Sequence, residues 1–272
     1  MKLVIFSKFF KDKSVKELIE NALDLGLEGY DLCVRPGYTI NPDNAAEKLP
    51  QAASLFNQEG LSIPMVTGNF DLLTPDHPTA GPILSAMDKA GIRLLKLGYF
   101  LFDPEKQDYW PEVDRIRKAF EGWQKLAQRY NVKVCYHTHC NRCMGLNCAA
   151  LMHLLKGFNP QYLGAYIDPA HLVIEGEEFA FGLSMVKDYL SIVALKDVLL
   201  VREETANHGK KVLKWVTAGN GMVDWTVVFS ELKRAGYNGP LSIHCEFEGP
   251  ETEFMGAVRR EAAFFKGYQK KP

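Results

Sequence analysis

The sequence has no excess of charge of either sign. It contains 32 lysine and arginine residues against 33 aspartate and glutamate residues, for a formal net charge of -1 at pH 7. A surface that binds nucleic acid normally carries a basic patch. The balance argues against nucleic acid as a partner, and we expect none.

Long apolar runs are also absent. No stretch approaches the roughly 20 apolar residues that a membrane-spanning helix needs. The first residues, MKLVIFSKFFKD, become charged too early for a secretory signal, which has a longer apolar region followed by small residues. We therefore expect a cytoplasmic protein with no membrane partner.

Cysteine is too sparse for a disulfide-based fold, with six residues in a chain of 272. Cys140 and Cys143 form a C-x-x-C pair, with Cys148 close behind. A structural zinc site usually takes four ligands at compatible spacing. We interpret these three as incidental loop cysteines; a metal-binding or oxidation-sensitive cluster with His139 is the alternative.

What the sequence does contain is a regular alternation of short apolar runs and longer amphipathic segments. Several amphipathic segments end at a glycine, which favours the left-handed backbone found at helix ends: Gly26, Gly60, Gly91 and Gly236. The apolar runs are KLVIF (2–6), GYDLCV (29–34), LSIPMV (61–66), IRLLKLG (92–98), VKVCYHT (132–138), YLGAYID (162–168), LSIVALKD (190–197) and PLSIHCEF (240–247).

Eight strands, each followed by a helix, predict an α/β protein with a (β/α)8 TIM barrel. We expect one domain over residues 1–272, since such barrels typically take about 250 residues. The alternative, an open doubly wound sheet, needs a glycine-rich phosphate turn after an early strand, and the sequence lacks one. We expect the charged residues 198–221 to form a long loop over the barrel mouth.

Polar residues collect at the ends of the last four predicted strands. Residues two apart on a strand share a face, and the carboxyl ends of barrel strands form the active-site side. A lone histidine there is usually a core residue, but several beside carboxylates indicate a shared site, since each buried polar group needs a partner. The candidates are His137 and His139, Asp168 and His171, Lys196, and His244 with Glu246.

Several segments resemble the xylose isomerase-like barrel superfamily of sugar isomerases, ketose 3-epimerases, inosose dehydratases and, more distantly, endonuclease IV. The resemblance covers essentially the whole chain. It rests on DLCVRPG (31–37), YHTH (136–139), YIDPAH (166–171), ALKDV (194–198), GNGMVDW (219–225) and GPLSIHCEFEG (239–249).

The resemblance implies a metal site that is altered in this chain. Family members usually hold one divalent metal through Glu, Asp, His and Glu at the ends of strands five to eight. The matching residues here are His137, Asp168, Ala194 and His244, so one ligand is lost at Ala194. We expect one divalent ion, Zn, Mn, Co, Fe or Ni, on His137, Asp168 and His244. Imidazole ligands favour Zn, Co, Fe or Ni over Mg.

The resemblance further implies a sugar or sugar-phosphate isomerase or epimerase that works through a metal-stabilised enediolate. Proton removal beside a carbonyl needs a base and a cation for the oxyanion. We assign catalysis to Glu246, His244 and Lys196, with His137 as a further candidate base. Substrate binding is assigned to His139, Arg35 and His171, the last at the family's substrate-contacting position.

Three alternatives remain open at this point. Lys196 is also explained as the ion-pair partner of an acidic neighbour. The enzyme is alternatively a lyase that dehydrates or cleaves a keto-sugar or keto-inositol, or a barrel that has lost its metal and only binds a ligand. By analogy with related barrels, we expect a homodimer.

Overall fold

The eight predicted strands close into a parallel barrel. The computed structural model describes residues 1–270, so the last two positions of the predicted domain 1–272 lie outside the described residues. Neighbouring strands follow the order β1-β10-β7-β6-β5-β4-β3-β2, which confirms the TIM barrel prediction. The barrel strands are β1 (Lys2–Phe6), β2 (Gly29–Cys33), β3 (Ser62–Thr67), β4 (Leu94–Lys96), β5 (Lys133–His137), β6 (Leu163–Ile167), β7 (Leu190–Leu195) and β10 (Pro240–Ile243).

Helices follow the strands and cover the outside of the barrel. Ser14 caps α1 through a capping box with Glu17. Gly26, Gly60, Gly91 and Gly236 all have a left-handed backbone, as their positions predicted. The helices are α1 (Val15–Leu25), α2 (Ala45–Gln58), α3 (Ala80–Ala90), α4 (Tyr109–Arg129), α5 (Cys148–Leu155), α6 (Pro169–Ile174), α7 (Phe179–Val186), α8 (Trp225–Arg234) and α9 (Phe254–Lys270).

Apolar side chains form two separate cores. The larger core lies between the sheet and the helices, and includes Phe56, Phe120, Trp123 and Phe265. The smaller core fills the barrel interior with Met65, Cys135, Tyr166, Ile192 and Ala194. Ala194 therefore packs inside the barrel and contributes no donor atom at the family's histidine position.

The segment predicted as a long loop is largely a β-hairpin. Strands β8 (Asp197–Glu204) and β9 (Gly209–Val216) pair antiparallel over their full length. The hairpin leaves the barrel directly after β7. Its tip is exposed, and its base lies beside the carboxyl ends of the strands.

The eighth barrel strand is shorter than predicted. β10 ends at Ile243, and Cys245 adopts a left-handed backbone with φ of 51°. His244 and Glu246 therefore leave the strand, yet both side chains still face the barrel mouth. No helix within residues 1–270 is long and apolar enough to cross a bilayer.

Candidate active site

The carboxyl ends of the strands surround a cavity of about 390 Å3, including the part open to solvent. Six of the eight predicted site residues line it: Arg35, His137, His139, Lys196, His244 and Glu246. The other two, Asp168 and His171, are fully buried and contact the Lys196 ammonium group. All eight therefore belong to one cluster.

Lys196 lies at the centre of this cluster. Its Nζ is 2.8 Å from Glu246 Oε2, 3.2 Å from Asp168 Oδ2 and 2.9 Å from His171 Nε2. Burial alone would lower the pKa of Lys196, but the carboxylates of Asp168 and Glu246 outweigh it and raise the pKa above its ordinary value. The side chain is therefore a fixed, buried positive charge.

Asp168 has two distinct roles, one for each carboxylate oxygen. Oδ1 caps the short helix α6 by accepting hydrogen bonds from the backbone N–H groups of Ala170 and His171, at 3.0 and 3.3 Å. Pro169 begins that helix, where a missing N–H costs nothing. Oδ2 faces Lys196. In the sequence DPAH, the aspartate thus caps the helix that begins at the proline and also contacts the lysine.

Glu246 bridges two lysines. Oε1 accepts a hydrogen bond from Lys8 Nζ at 2.6 Å, while Oε2 accepts one from Lys196. Burial would raise the pKa of this carboxyl, but the charge of Lys196, together with His244 and Lys8, brings it far below its ordinary value. Glu246 is thus a poor proton acceptor, and the geometry favours an anchoring role over the predicted base.

His137 and His244 are buried imidazoles whose ring centroids lie 5.9 Å apart. His137 Nδ1 is 2.7 Å from the Tyr99 hydroxyl, and His244 Nε2 is 2.6 Å from the Tyr166 hydroxyl. Burial is the main cause that lowers the pKa of both rings well below the usual value; Lys96 adds to it at His137, and Lys196 at His244. Both rings are therefore neutral near pH 7.

The Tyr166 hydroxyl fixes the tautomer of His244. It donates to Asp31 Oδ2 at 3.1 Å, so it accepts the hydrogen of His244 Nε2. The Nδ1 atom of His244 then carries a lone pair, and it is buried without a hydrogen-bond partner. By geometry this nitrogen is a candidate base, and the lowered pKa of the ring makes it a weak one.

The predicted metal ligands do not converge on one point. His137 Nε2 and Asp168 Oδ2 lie 3.5 Å apart, and neither makes a hydrogen bond of good geometry. However, the donor atoms of His137, Asp168 and His244 are not all within 4.8 Å of one another, and Lys196 Nζ lies against the same Asp168 oxygen. This arrangement does not fit a divalent ion, and we derive no step through one.

A different group of donors does converge. One donor atom each from His139, Cys140 and His171 lie within 4.8 Å of one another; this is the single such group among residues 1–270. Cys143 Sγ is also 3.6 Å from His139 Nδ1. Burial, and then the charge of Lys196, lowers the pKa of His139 to about 4, so the ring is neutral and able to bind a metal.

Sequence reasoning missed Lys96, which ends β4 and lines the cavity while only 3% exposed. Burial and the nearby Arg35 guanidinium lower the pKa of Lys96 to about 7, although Asp31 opposes them. Asp31, Tyr99 and Tyr166 also line the cavity and were missed. No sequence signal marked Lys96, which lies inside the apolar run IRLLKLG.

Aromatic side chains form part of the cavity wall. The lining rings are Phe6, Phe70, Tyr99 and Tyr166. Arg35 is held here by a hydrogen bond from Nε to the Gly68 carbonyl at 2.8 Å, and its guanidinium lies 4.4 Å from the Phe70 ring. A cavity with both rings and charges suits a small polar molecule with an apolar face.

Solved structures with the same fold include enzymes of sugar chemistry. The 3-keto-D-glucoside 4-epimerase of E. coli matches with a TM-score of 0.75 and 16% identity, over 98% of this chain and 99% of that one. The IOLI protein with a bound zinc atom matches with a TM-score of 0.77 and 14% identity, over 98% of each chain. At these identities the likeness shows the fold alone.

Curated relatives match part of the chain. The inosose dehydratase of Lacticaseibacillus casei is 23% identical over 153 residues, which are 54% of this chain and 51% of that protein. The chain thus spans about half the length of the curated relatives it matches. The sequence model of one family matches residues 19–268, nearly the whole chain. This protein belongs to the xylose isomerase-like TIM barrel family.

Proposed function

We propose that the protein is a sugar or sugar-phosphate isomerase or epimerase that moves a proton between neighbouring carbons through an enediolate. The observation that carries the proposal is the buried Lys196 ammonium, fixed by Asp168 and Glu246 beside two neutral imidazoles. An enediolate is an anion, so a fixed positive charge at the cavity lowers its energy.

Lys196 acts through its field in this proposal. Its Nζ donates to Glu246 Oε2 at 2.8 Å and lies 3.2 Å from Asp168 Oδ2 and 2.9 Å from His171 Nε2, so protein groups already surround it. The carboxylates of Asp168 and Glu246 offset part of this charge, so the attraction for an enediolate is weaker than that of an unpaired ammonium. His244 Nδ1 receives the proton from carbon, and Tyr166 and Asp31 hold the ring in the required tautomer.

Dehydration of a keto-inositol or keto-sugar is the second candidate. The relatives that match over about half the chain are inosose dehydratases. Loss of water from a carbon next to an enediolate begins with the same proton removal, so the same residues serve both reactions. The two candidates differ in the fate of the intermediate.

The test follows hydrogen exchange into carbonyl substrates. The protein is incubated in D2O with D-fructose, D-tagatose, D-xylulose or scyllo-inosose, and NMR follows deuterium uptake beside the carbonyl. A product of unchanged mass, deuterium aside, identifies an isomerase or epimerase, and loss of water identifies a dehydratase. Lys196→Met should slow exchange by about 100-fold or more.

Lys210→Met is the matched control, because Lys210 is exposed at the start of β9, beside the hairpin tip and away from the cavity. It should exchange at the wild-type rate. Binding of these compounds without exchange by wild type would contradict the proposal and favour a barrel that only binds ligands. Thermal unfolding of Lys196→Met shows whether a loss of exchange reflects a loss of fold.

We also propose that the protein binds one divalent ion, which is Zn, Mn, Co, Fe or Ni. The donors that support it are His139, Cys140 and His171. Metal analysis of the purified protein tests it: His139→Ala should lose the ion, and His137→Ala should lose it only if the family positions bind it. A cytoplasmic location and a homodimer also stay predictions.

A further inference from the structure

Lys96 differs from the other lysines of the cavity in having no hydrogen-bond or ion-pair partner within residues 1–270. Lys8 is paired with Glu246, and Lys196 with Glu246 and Asp168. Lys96 is 3% exposed, lines the cavity, and places its Nζ 3.8 Å from the centroid of the Tyr99 ring. An amine that has no carboxylate partner and opens onto the cavity is placed to meet a bound molecule, so its position calls for a function.

We propose that Lys96 forms a reversible imine with the carbonyl carbon of a small hydroxyketone or hydroxyaldehyde in the cavity. This proposal rests on the proposed function for the carbonyl class of the substrate, but it adds a covalent step. It assigns a nucleophile to β4, a strand on which the predicted site has no residue.

The step balances without any further reactant. The Nζ lone pair attacks the carbonyl carbon, the carbon–oxygen π bond breaks, and the oxygen takes a proton to give a carbinolamine. The nitrogen loses a proton, and the hydroxyl group then leaves with a proton as water, which gives the carbon–nitrogen double bond. The protonated imine withdraws electrons more strongly than the carbonyl, so the neighbouring carbon loses its proton more easily.

The surroundings keep a useful fraction of the amine unprotonated. Burial is the main cause that lowers the pKa of Lys96 to about 7, followed by the charge of Arg35. Asp31 and Cys33 on β2 and Cys143 after β5 act in the opposite direction. At pH 7 about half of the side chain is then neutral amine, whereas an ordinary lysine has only about 0.04%.

A proton carrier lies beside the amine. The Tyr99 ring that contacts Lys96 bears the hydroxyl that is 2.7 Å from His137 Nδ1. The Tyr99–His137 pair can therefore supply and remove the protons that carbinolamine formation and its dehydration require. This gives His137 a role in proton transfer that does not depend on a metal.

Reductive trapping tests the proposal. Wild-type protein is incubated at pH 7 with dihydroxyacetone and sodium cyanoborohydride, digested and analysed by mass spectrometry. Lys96 should gain the mass of the probe less one oxygen atom, about tenfold or more faster than the exposed Lys210. If the adduct forms on the exposed lysines and Lys96 remains unlabelled, the proposal is overturned.

Two variants separate this proposal from the proposed function. Lys96→Arg keeps the charge but has no amine that forms an imine, so it should lose the trapped adduct and slow deuterium exchange; Lys210→Arg should change neither. Full exchange by Lys96→Arg overturns the covalent step while the proposed function stands. Trapping at Lys96 with no exchange by wild type on any substrate supports the imine and contradicts the proposed function.

Discussion

The carboxylate of Asp197 holds the segment between β9 and α8 against the end of β7. It is fully buried and accepts hydrogen bonds from five donors: the backbone N–H groups of Val198, Gly219, Gly221 and Val223, and Trp225 Nε1. Asp197→Ala leaves these donors without an acceptor and should lower the free energy of unfolding by about 3–5 kcal/mol.

Urea unfolding measures this effect. Asp197→Asn keeps an acceptor oxygen and should cost less than Asp197→Ala. Asp188→Ala is the control, because Asp188 is exposed just before β7. It should change the free energy of unfolding by less than about 0.5 kcal/mol. A cost for Asp197→Ala no larger than that of the control would contradict the structural role.

For single residues, the expectation that polar side chains at the carboxyl ends of the strands form the site located most of the candidate site. It did not predict their protonation states. His137, Asp168 and Lys196 could be predicted because each ends a strand in a periodic sequence. The weak basicity of Glu246 could not, because it depends on Lys196 and also on Lys8, which is more than two hundred residues away in the sequence. Lys96 was missed because a lone lysine at the end of a three-residue strand carries no pattern.

At the scale of elements, the hairpin was the largest error of the sequence analysis. Residues 202–211 include charged residues of both signs. They interrupt the alternation of apolar and polar residues expected of strands, so the sequence favours the prediction of a loop. In the structure, Trp215 near the end of β9 packs its ring 4.5 Å from Lys196 Nζ and 5.5 Å from the His171 ring. The hairpin base therefore packs against the site residues Lys196 and His171, and the tip does not.

This division predicts different effects for the tip and the base. Arg202 and Lys211 are paired, so replacing residues 203–210 by Asn-Gly gives a two-residue turn between them. The shortened protein should keep its melting temperature and its exchange rate. Trp215→Ala removes the ring over Lys196 and should lower exchange by about tenfold.

Trp110→Ala is the control for the loss of a tryptophan, since Trp110 is 61% exposed on α4. This variant should catalyse deuterium exchange into the substrate at the wild-type rate. Equal losses in the shortened protein and in Trp215→Ala would show that the whole hairpin, and not its base alone, contributes to the site.

At the scale of the whole molecule, the barrel could be predicted because each level of the sequence agrees with it. Apolar runs followed by amphipathic segments repeat eight times, several of the segments end at glycine, and the strands close into a barrel. The contacts of α9 with the loops could not be predicted from the repeating pattern of the sequence. They depend on single polar residues whose partners lie far along the chain.

Glu261 of α9 is such a residue, and it makes the stability of the molecule depend on pH. It is 1% exposed, and its Oε1 accepts a hydrogen bond from the Ala218 N–H at 3.0 Å. Burial raises the pKa of its carboxyl to about 8, with a smaller contribution from Asp197 in the same direction. The folded protein therefore keeps a proton that the unfolded chain releases above its ordinary pKa of 4.5.

Because the folded state binds more protons in this range, the free energy of unfolding should fall as pH rises from about 4.5 to about 8. Glu261→Gln cannot lose a proton, so it should match wild type near pH 4.5 and exceed its stability near pH 8 by up to about 4 kcal/mol. Urea unfolding at a series of pH values measures the difference. The exposed Glu59→Gln should run parallel to wild type, and a Glu261→Gln curve that also runs parallel would show that Glu261 is ionised in the folded protein.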